Sequence, residues 1–272
     1  MGRNPITELT LMGVFAIRQN GRRIRLPIRG STLSLLLLLA SSANKNIRKE
    51  VLVEELWSGQ DPCKSRSAFN TAIWRLNSIL DRFPELTVVT DGDLIKLSTD
   101  PQLFIDVECL HSTLPVISRF ECGENLSETQ FHKFRDLAEM CSGEYLEGFN
   151  AHWVLAKREL YGSIFIRLLS CLMRHYAEQN HFEQALYFGR KILNLDPLRE
   201  VTQREVMHLH VLNGERAKAV KQYKELLKIL QDELGISPLQ ETIDLFRKIS
   251  GADCQIPIFK RPDISALRPH FA

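Results

Sequence analysis

The sequence predicts an α+β N-terminal winged helix followed by an all-α domain of TPR-like helical repeats. Three observations predict it. Three helical patterns closed by a hairpin pattern precede residue 100, strand signals fade from Asp106 onward, and a turn-and-helix pattern recurs at a shift of 34 residues. The 272 residues, 44% of them hydrophobic, are enough for two cores. The expected division is 1–100 for the winged helix, 101–250 for the helical domain and 251–272 for an irregular, proline-bearing tail.

The opening stretch Glu8 to Arg18 is rich in β-branched and apolar residues. It reaches Asn20-Gly21, a pair suited to a tight hairpin loop, before Arg22 to Leu26, so a small antiparallel sheet is expected. Ser31 or Thr32 can cap a first helix running from Leu33 to about Ala43, and a second helix is expected from Arg48 to Trp57. Gly59 and Pro62 mark a loop from Ser58 to Lys64. A third helix, Lys64 to Asp81, carries Phe69, Ile73, Leu76 and Leu80 at helical offsets that make one apolar stripe. Leu86 to Thr90 and Asp93 to Ser98 then flank Asp91-Gly92, a pair that favours a type I′ turn and so predicts a hairpin wing.

In the second half, Asn180 to Ala185 and Gly214 to Ala219 are the segments related by the 34-residue shift, the tetratricopeptide period. Each unit is expected to be a helix pair: Trp153 to Gln179 with Phe182 to Leu193, then Arg199 to Leu212 with Ala217 to Leu230. Tyr176, Phe182, Leu186, Phe188 and Tyr223 fit the seam between repeats better than a ligand groove.

Charge is unevenly spread. Residues 1–100 hold 14 Lys/Arg against 10 Asp/Glu, and the remainder 21 against 23. No acidic residue lies between Asp61 and Asp81, where Lys64, Arg66 and Arg75 occur, a pattern that favours polyanionic phosphate. Opposite the Phe69 stripe, the third helix presents Lys64, Ser67, Thr71, Trp74 and Ser78, flanked by Asn70 and Arg75. Asn pairs with adenine and Arg with guanine in bidentate fashion, whereas Ser and Thr serve bases or phosphates. Trp74 either contacts thymine methyls and sugar edges or packs against the wing. Arg48 and Lys49, at the second helix's start, are phosphate ligands or merely solvated cations. Asp91 and Gly92 form the wing tip, with no Arg or Lys for a minor-groove contact. The candidate DNA-binding set is therefore Arg48, Lys49, Lys64, Arg66, Ser67, Asn70, Thr71, Trp74, Arg75, Ser78, Asp91 and Gly92.

Other classes find little support. The six cysteines show no CxxC pairing, as expected of reduced thiols. No cleavable leader pattern opens the sequence, and the apolar run Leu33 to Ala40 is far shorter than the roughly 20 residues that span a bilayer, so a cytoplasmic location and no membrane contact are expected. No HExxH, GxSxG, GxGxxG or GxxxxGK[ST] motif occurs, and His208 and His210 lie on different faces of one helix. No catalysis, metal or cofactor is expected.

Residues Arg48 to Trp57, Ser65 to Asn70 and Trp74-Arg75-Leu76, then Ile105-Asp106-Val107, Gly143 to Gly148, Trp153-Val154, Arg158-Glu159, Leu195 to Glu200 and Glu233 to Pro238, occur in one order. Together they resemble the bacterial transcriptional activator domain proteins, including the Streptomyces antibiotic regulatory protein type, over about Glu8 to Ile249. The resemblance implies an OmpR/PhoB-type winged helix joined to a TPR-like domain, binding double-stranded DNA at promoter repeats, often in head-to-tail pairs, with Ser58 to Cys63 near RNA polymerase. The third helix departs from the family in carrying few arginines, with Asn77 and Ser78 where basic residues are common. The function implied is a sequence-specific transcriptional regulator of the activator kind in a bacterial cytoplasm, with control through abundance, an effector, a homodimer or a regulatory protein held by the TPR-like domain. The alternative is a TPR-type adaptor for protein–protein interaction whose DNA affinity is weak or lost.

Overall fold

A computed structural model describes residues 7–101 and 103–251. The tail expected from 251 onward lies, apart from Gly251, outside the described residues. The chain divides into two compact units, 1–109 with 140–159, and 110–139 with 160–272.

The first unit opens with β1 (Thr7–Thr10), β2 (Ala16–Gln19) and β3 (Arg22–Ile24), joined antiparallel. Asn20 (φ 53°) and Gly21 (φ 77°) both adopt left-handed backbone between Gln19 and Arg22, as a type I′ loop requires. A fourth strand, β7 (Phe104–Ile105), pairs parallel with β1, giving the order β3-β2-β1-β7.

The first helix, α1 (Gly30–Ala40), begins and ends three residues earlier than the sequence suggested. Neither Ser31 nor Thr32 caps it: the N-cap is Arg29, and its side chain makes no cap hydrogen bond. Every residue from Leu35 to Ala40 is buried, so a helix that is apolar all round lies inside the unit rather than on its surface. The second helix, α2 (Lys49–Trp57), excludes Arg48, which forms β4 (Ile47–Arg48). The third, α3 (Pro62–Leu80), starts two residues early because Asp61 caps it, accepting from the Cys63 and Lys64 amides at 3.0 and 3.2 Å, with Pro62 preset for the first turn. Phe69, Ala72, Leu76 and Leu80 form its buried stripe, and the Trp57 and Phe69 rings meet edge to face at 6.0 Å.

The wing, β5 (Leu86–Asp91) and β6 (Leu94–Thr99), takes β4 as its third strand. Asp91 pairs with Leu94, so the turn residues are Gly92 and Asp93, one later than expected. Gly92 has φ 57° and Asp93 is not left-handed, which excludes the type I′ turn. The shift keeps Ile95 and Leu97 on the buried face.

Residues 140–159 complete this unit. Met12 bridges to Tyr145, the Gly13 amide donates to the Glu144 carbonyl, and Arg158 donates to the carbonyls of Tyr145, Leu146 and Phe149. Asp106, fully buried, accepts from the amides of Leu11, Met12 and Val107 at 2.7–2.9 Å, tying the end of β7 to the loop after β1.

The remaining helices are α4 (Asp106–Ser112), α5 (Leu114–Glu121), α6 (Glu128–Met140), α7 (His152–Glu178), α8 (Phe182–Leu195), α9 (Glu200–Leu212), α10 (Arg216–Leu234) and α11 (Gln240–Ser250); α4 and α7 begin in the first unit, and the second, which takes in the rest, is helical. The 34-residue period is visible in its turns. Asn180 and Gly214 are both left-handed, and the next amides, of His181 and Glu215, donate to the carbonyls of Tyr176 and His210. Ala185 and Ala219 are fully buried at the equivalent helix starts. Tyr176 stacks on Phe188 and Tyr223 on Phe246, so these aromatics are seam rather than groove.

Gly189 of α8 sets the helix spacing. A Cβ there would lie 2.6 Å from Val206 of α9 and 3.2 Å from the Met173 sulfur of α7. Gly189→Ala is expected to lower the unfolding free energy by about 1–3 kcal/mol. Chemical denaturation checks it; an unchanged midpoint would mean that the three helices separate freely.

Candidate nucleic-acid interface

The first helical turn of α3 is held by Asp61 and its inner stripe by the core, which leaves the opposite face outward. Lys64, Arg66, Ser67, Asn70, Thr71, Trp74, Arg75 and Ser78 are all exposed. Trp74 is 71% exposed, so the alternative in which it packs against the wing is not what the fold adopts. An aromatic ring left this bare is available to sugar edges or thymine methyls.

Electrostatics favour an anion here. Among the described residues none of Arg48, Lys49, Lys64, Arg66 and Arg75 is in an ion pair, so their charge is not spent internally. Lys49 reaches α3: its Nζ lies 5.2 Å from the Phe69 ring centroid and donates to Asn70 Oδ1 at 3.3 Å. That contact brings two separately expected candidates together and orients the Asn70 amide. The carboxamide oxygen keeps a second lone pair and the NH2 group both hydrogens, so the bidentate adenine contact remains open.

The α2 start is less suited to phosphate than its position suggests. The Lys49 amide already donates to the Asp93 carbonyl of the wing at 2.7 Å, and Glu50 occupies the first turn. Arg48 stays exposed as the last residue of β4. At the wing tip, Asp91, Gly92 and Asp93 are exposed, two carboxylates with no cation in the turn. The α2–α3 loop, at Ser58, Gly59 and Gln60, borders a depression that also takes in Glu50, Glu54, Trp57 and Arg66.

Two residues escaped the sequence reading as site candidates. Ser31 and Thr32 share a concavity with Lys64, Ser67, Thr71 and Arg75. Some 30 to 45 residues separate them from α3 in sequence, and only the packing of α1 on α3 brings them alongside.

Residues 125–250 match the family model of the bacterial transcriptional activator domain. That stretch is similar to this family over a little under half of the chain. The regulatory protein AfsR of Streptomyces coelicolor is 22% identical over 202 residues, which are 74% of this chain and 20% of AfsR. The chain thus spans about a fifth of the length of that relative. A solved structure of Mycobacterium tuberculosis EmbR, in complex with a low-affinity phosphopeptide, superposes with a TM-score of 0.72 at 14% identity, covering 90% of this chain and 65% of that one. The fold is a winged helix followed by an all-α TPR-like domain.

The helical unit holds no metal-binding group among the described residues. His210 Nδ1 lies 2.9 Å from Glu215 Oε2, a side-chain pair between α9 and the start of α10. The described cysteines, from Cys63 to Cys171, are not joined in disulfides. No described helix is long and apolar enough to cross a membrane.

Proposed function

We propose that the chain is a sequence-specific, double-stranded-DNA-binding transcriptional activator, with α3 in the major groove. The observation that carries this reading is the outer face of α3: cations without ion pairs, an oriented Asn70 and an exposed Trp74 on one surface, with no acidic residue between Asp61 and Asp81. Asn70 and Arg75 read base edges, Lys64, Arg66, Ser67, Thr71 and Ser78 hold phosphates or bases, and Arg48 and Lys49 lie at the backbone. The tip at Asp91 and Gly92 approaches the minor groove without a cation to strengthen it. The loop from Ser58 to Cys63 is the surface offered to RNA polymerase, and the division of labour follows residues 1–100 for DNA and 101–250 for control.

Selection of genomic fragments by the purified chain, followed by sequencing, tests it. Asn70→Ala and Arg75→Ala are each expected to lose about 1–3 kcal/mol of discrimination at one base position. No enrichment over random DNA at moderate salt would overturn the reading. The adaptor reading draws on Leu234, Ile236 and Leu239, each about half exposed or more around the α10–α11 connection. It predicts a partner retained by the helical unit in the absence of any DNA selection.

A further inference from the structure

The helices α1, α2 and α3 treat the free amides at their starts differently. Asp61 caps α3, and the Asp93 carbonyl takes the Lys49 amide of α2. At α1 nothing does so: Arg29 is the N-cap without a side-chain bond, and among the described residues the amides of Gly30, Ser31 and Thr32 have no acceptor. Gly30 is left-handed at φ 56° and is followed by right-handed helix, a succession that turns neighbouring amides toward one concave side.

A second observation points into the same place. Thr32 is only 4% exposed and lines the concavity shared with α3, yet its hydroxyl has no hydrogen-bond partner among the described residues. With the rest of the residue buried, the hydroxyl is left to the concavity and to whatever ligand fills it. Facing it across the concavity are Ser67 and Thr71 and the unpaired cations Lys64 and Arg75. The Thr71 hydroxyl donates to the Ser67 carbonyl at 2.9 Å, but helix-start amides, the Thr32 and Ser67 hydroxyls and two cations still converge with no carboxylate among them, which suits an oxyanion.

We infer that this concavity holds one backbone phosphate of the DNA duplex whose bases α3 reads. The inference rests on the DNA-binding reading above and adds to it a clamp on α1. The concavity shares Lys64, Ser67, Thr71 and Arg75 with the outer face of α3, so an anion seated there is continuous with a ligand lying along that helix. Such a contact carries no sequence information; it fixes the depth and register at which Asn70 meets the base edges.

Two full-chain variants test the clamp, with affinity for duplex DNA read by fluorescence anisotropy across a salt series. Ser31→Asp places a carboxylate among the free amides, which favours the folded helix and repels phosphate. It is expected to bind every sequence about tenfold more weakly or worse, to lower the slope of log K against log salt by about one, and to melt no lower than the parent. Thr32→Val, nearly the same shape, is expected to weaken binding about three- to tenfold with base preference unchanged. If both variants keep parental affinity and slope while Asn70→Ala still relaxes base preference, the clamp is wrong and the DNA reading stands. If the parent chain binds no duplex, both fall. Inorganic phosphate, followed by the NMR shifts of the Gly30 to Thr32 amides, separates the two sources of the anion. Saturation by phosphate with no response to duplex DNA identifies a small-anion site and overturns the inference.

Discussion

Glu205→Ala is expected to lower the unfolding free energy of the helical unit by about 3–5 kcal/mol, as removing one partner of a buried ion pair does. Glu205 on α9 accepts from Arg174 Nε on α7 at 2.8 Å, and the two side chains are 9% and 11% exposed. Its other carboxylate oxygen is buried without a hydrogen bond among the described residues. Burial pushes the Glu205 carboxyl above the ordinary glutamate value, and the opposing pull of Arg174, then Arg199 and Arg204, does not overcome it. Deleting the carboxylate leaves the Arg174 guanidinium in the seam with no countercharge. The double variant Arg174→Met/Glu205→Leu removes both charges and is expected to match the parent or exceed it by about 1–4 kcal/mol. Urea denaturation of the three proteins decides. A single variant as mild as a surface change would show that water reaches the pair.

The second large effect is a pH dependence centred on Asp106. Burial raises its pKa from 3.8 to about 6, outweighing the amides of Met12, Leu11 and Val107 that favour the charged form. The folded chain thus keeps this proton over a window in which the unfolded chain has released it. Stability from this group is full below 3.8 and is lost as pH rises through about 6. The difference between the ends of the window is on the order of 3 kcal/mol. Asp106→Asn cannot ionise, so its stability is expected to be flat where the parent's declines. Denaturation at a series of pH values measures both slopes; equal slopes would place the titration elsewhere.

What could be read in advance has a common character. The Phe69, Leu76 and Leu80 stripe, the left-handed Asn20-Gly21 loop and the 34-residue period are local: each depends on residues within a few positions, or on a pattern repeated along the chain. Where the reading slipped, a competing interaction won. The first helix starts at Gly30 rather than after a Ser or Thr cap, because burial of the whole leucine run decides its position and leaves the cap unused. The third starts at Pro62 because Asp61 caps the first turn and the proline is preset for its first position, which outweighs the loop tendency of the preceding Gly59. The wing turn falls on Gly92 and Asp93 because Ile95 and Leu97 must face the core, and a register one residue off would have turned them to solvent.

By itself, then, the sequence determined the class of each half, the outward set on α3 from Lys64 to Ser78, and the repeat of helix pairs, since helical and hairpin periodicities are written in neighbouring residues. Only the tertiary structure decided that β7 pairs with β1 and that residues 140–159 join the first unit through Met12 and Tyr145. It also decided that Lys49 holds Asn70, that Trp74 stands free, and that Ser31 and Thr32 lie beside Lys64 and Arg75. Each of these contacts joins groups that lie on different elements or whose exposure depends on what packs nearby. Their geometry is set by how buried faces pack, which no local pattern of residues encodes.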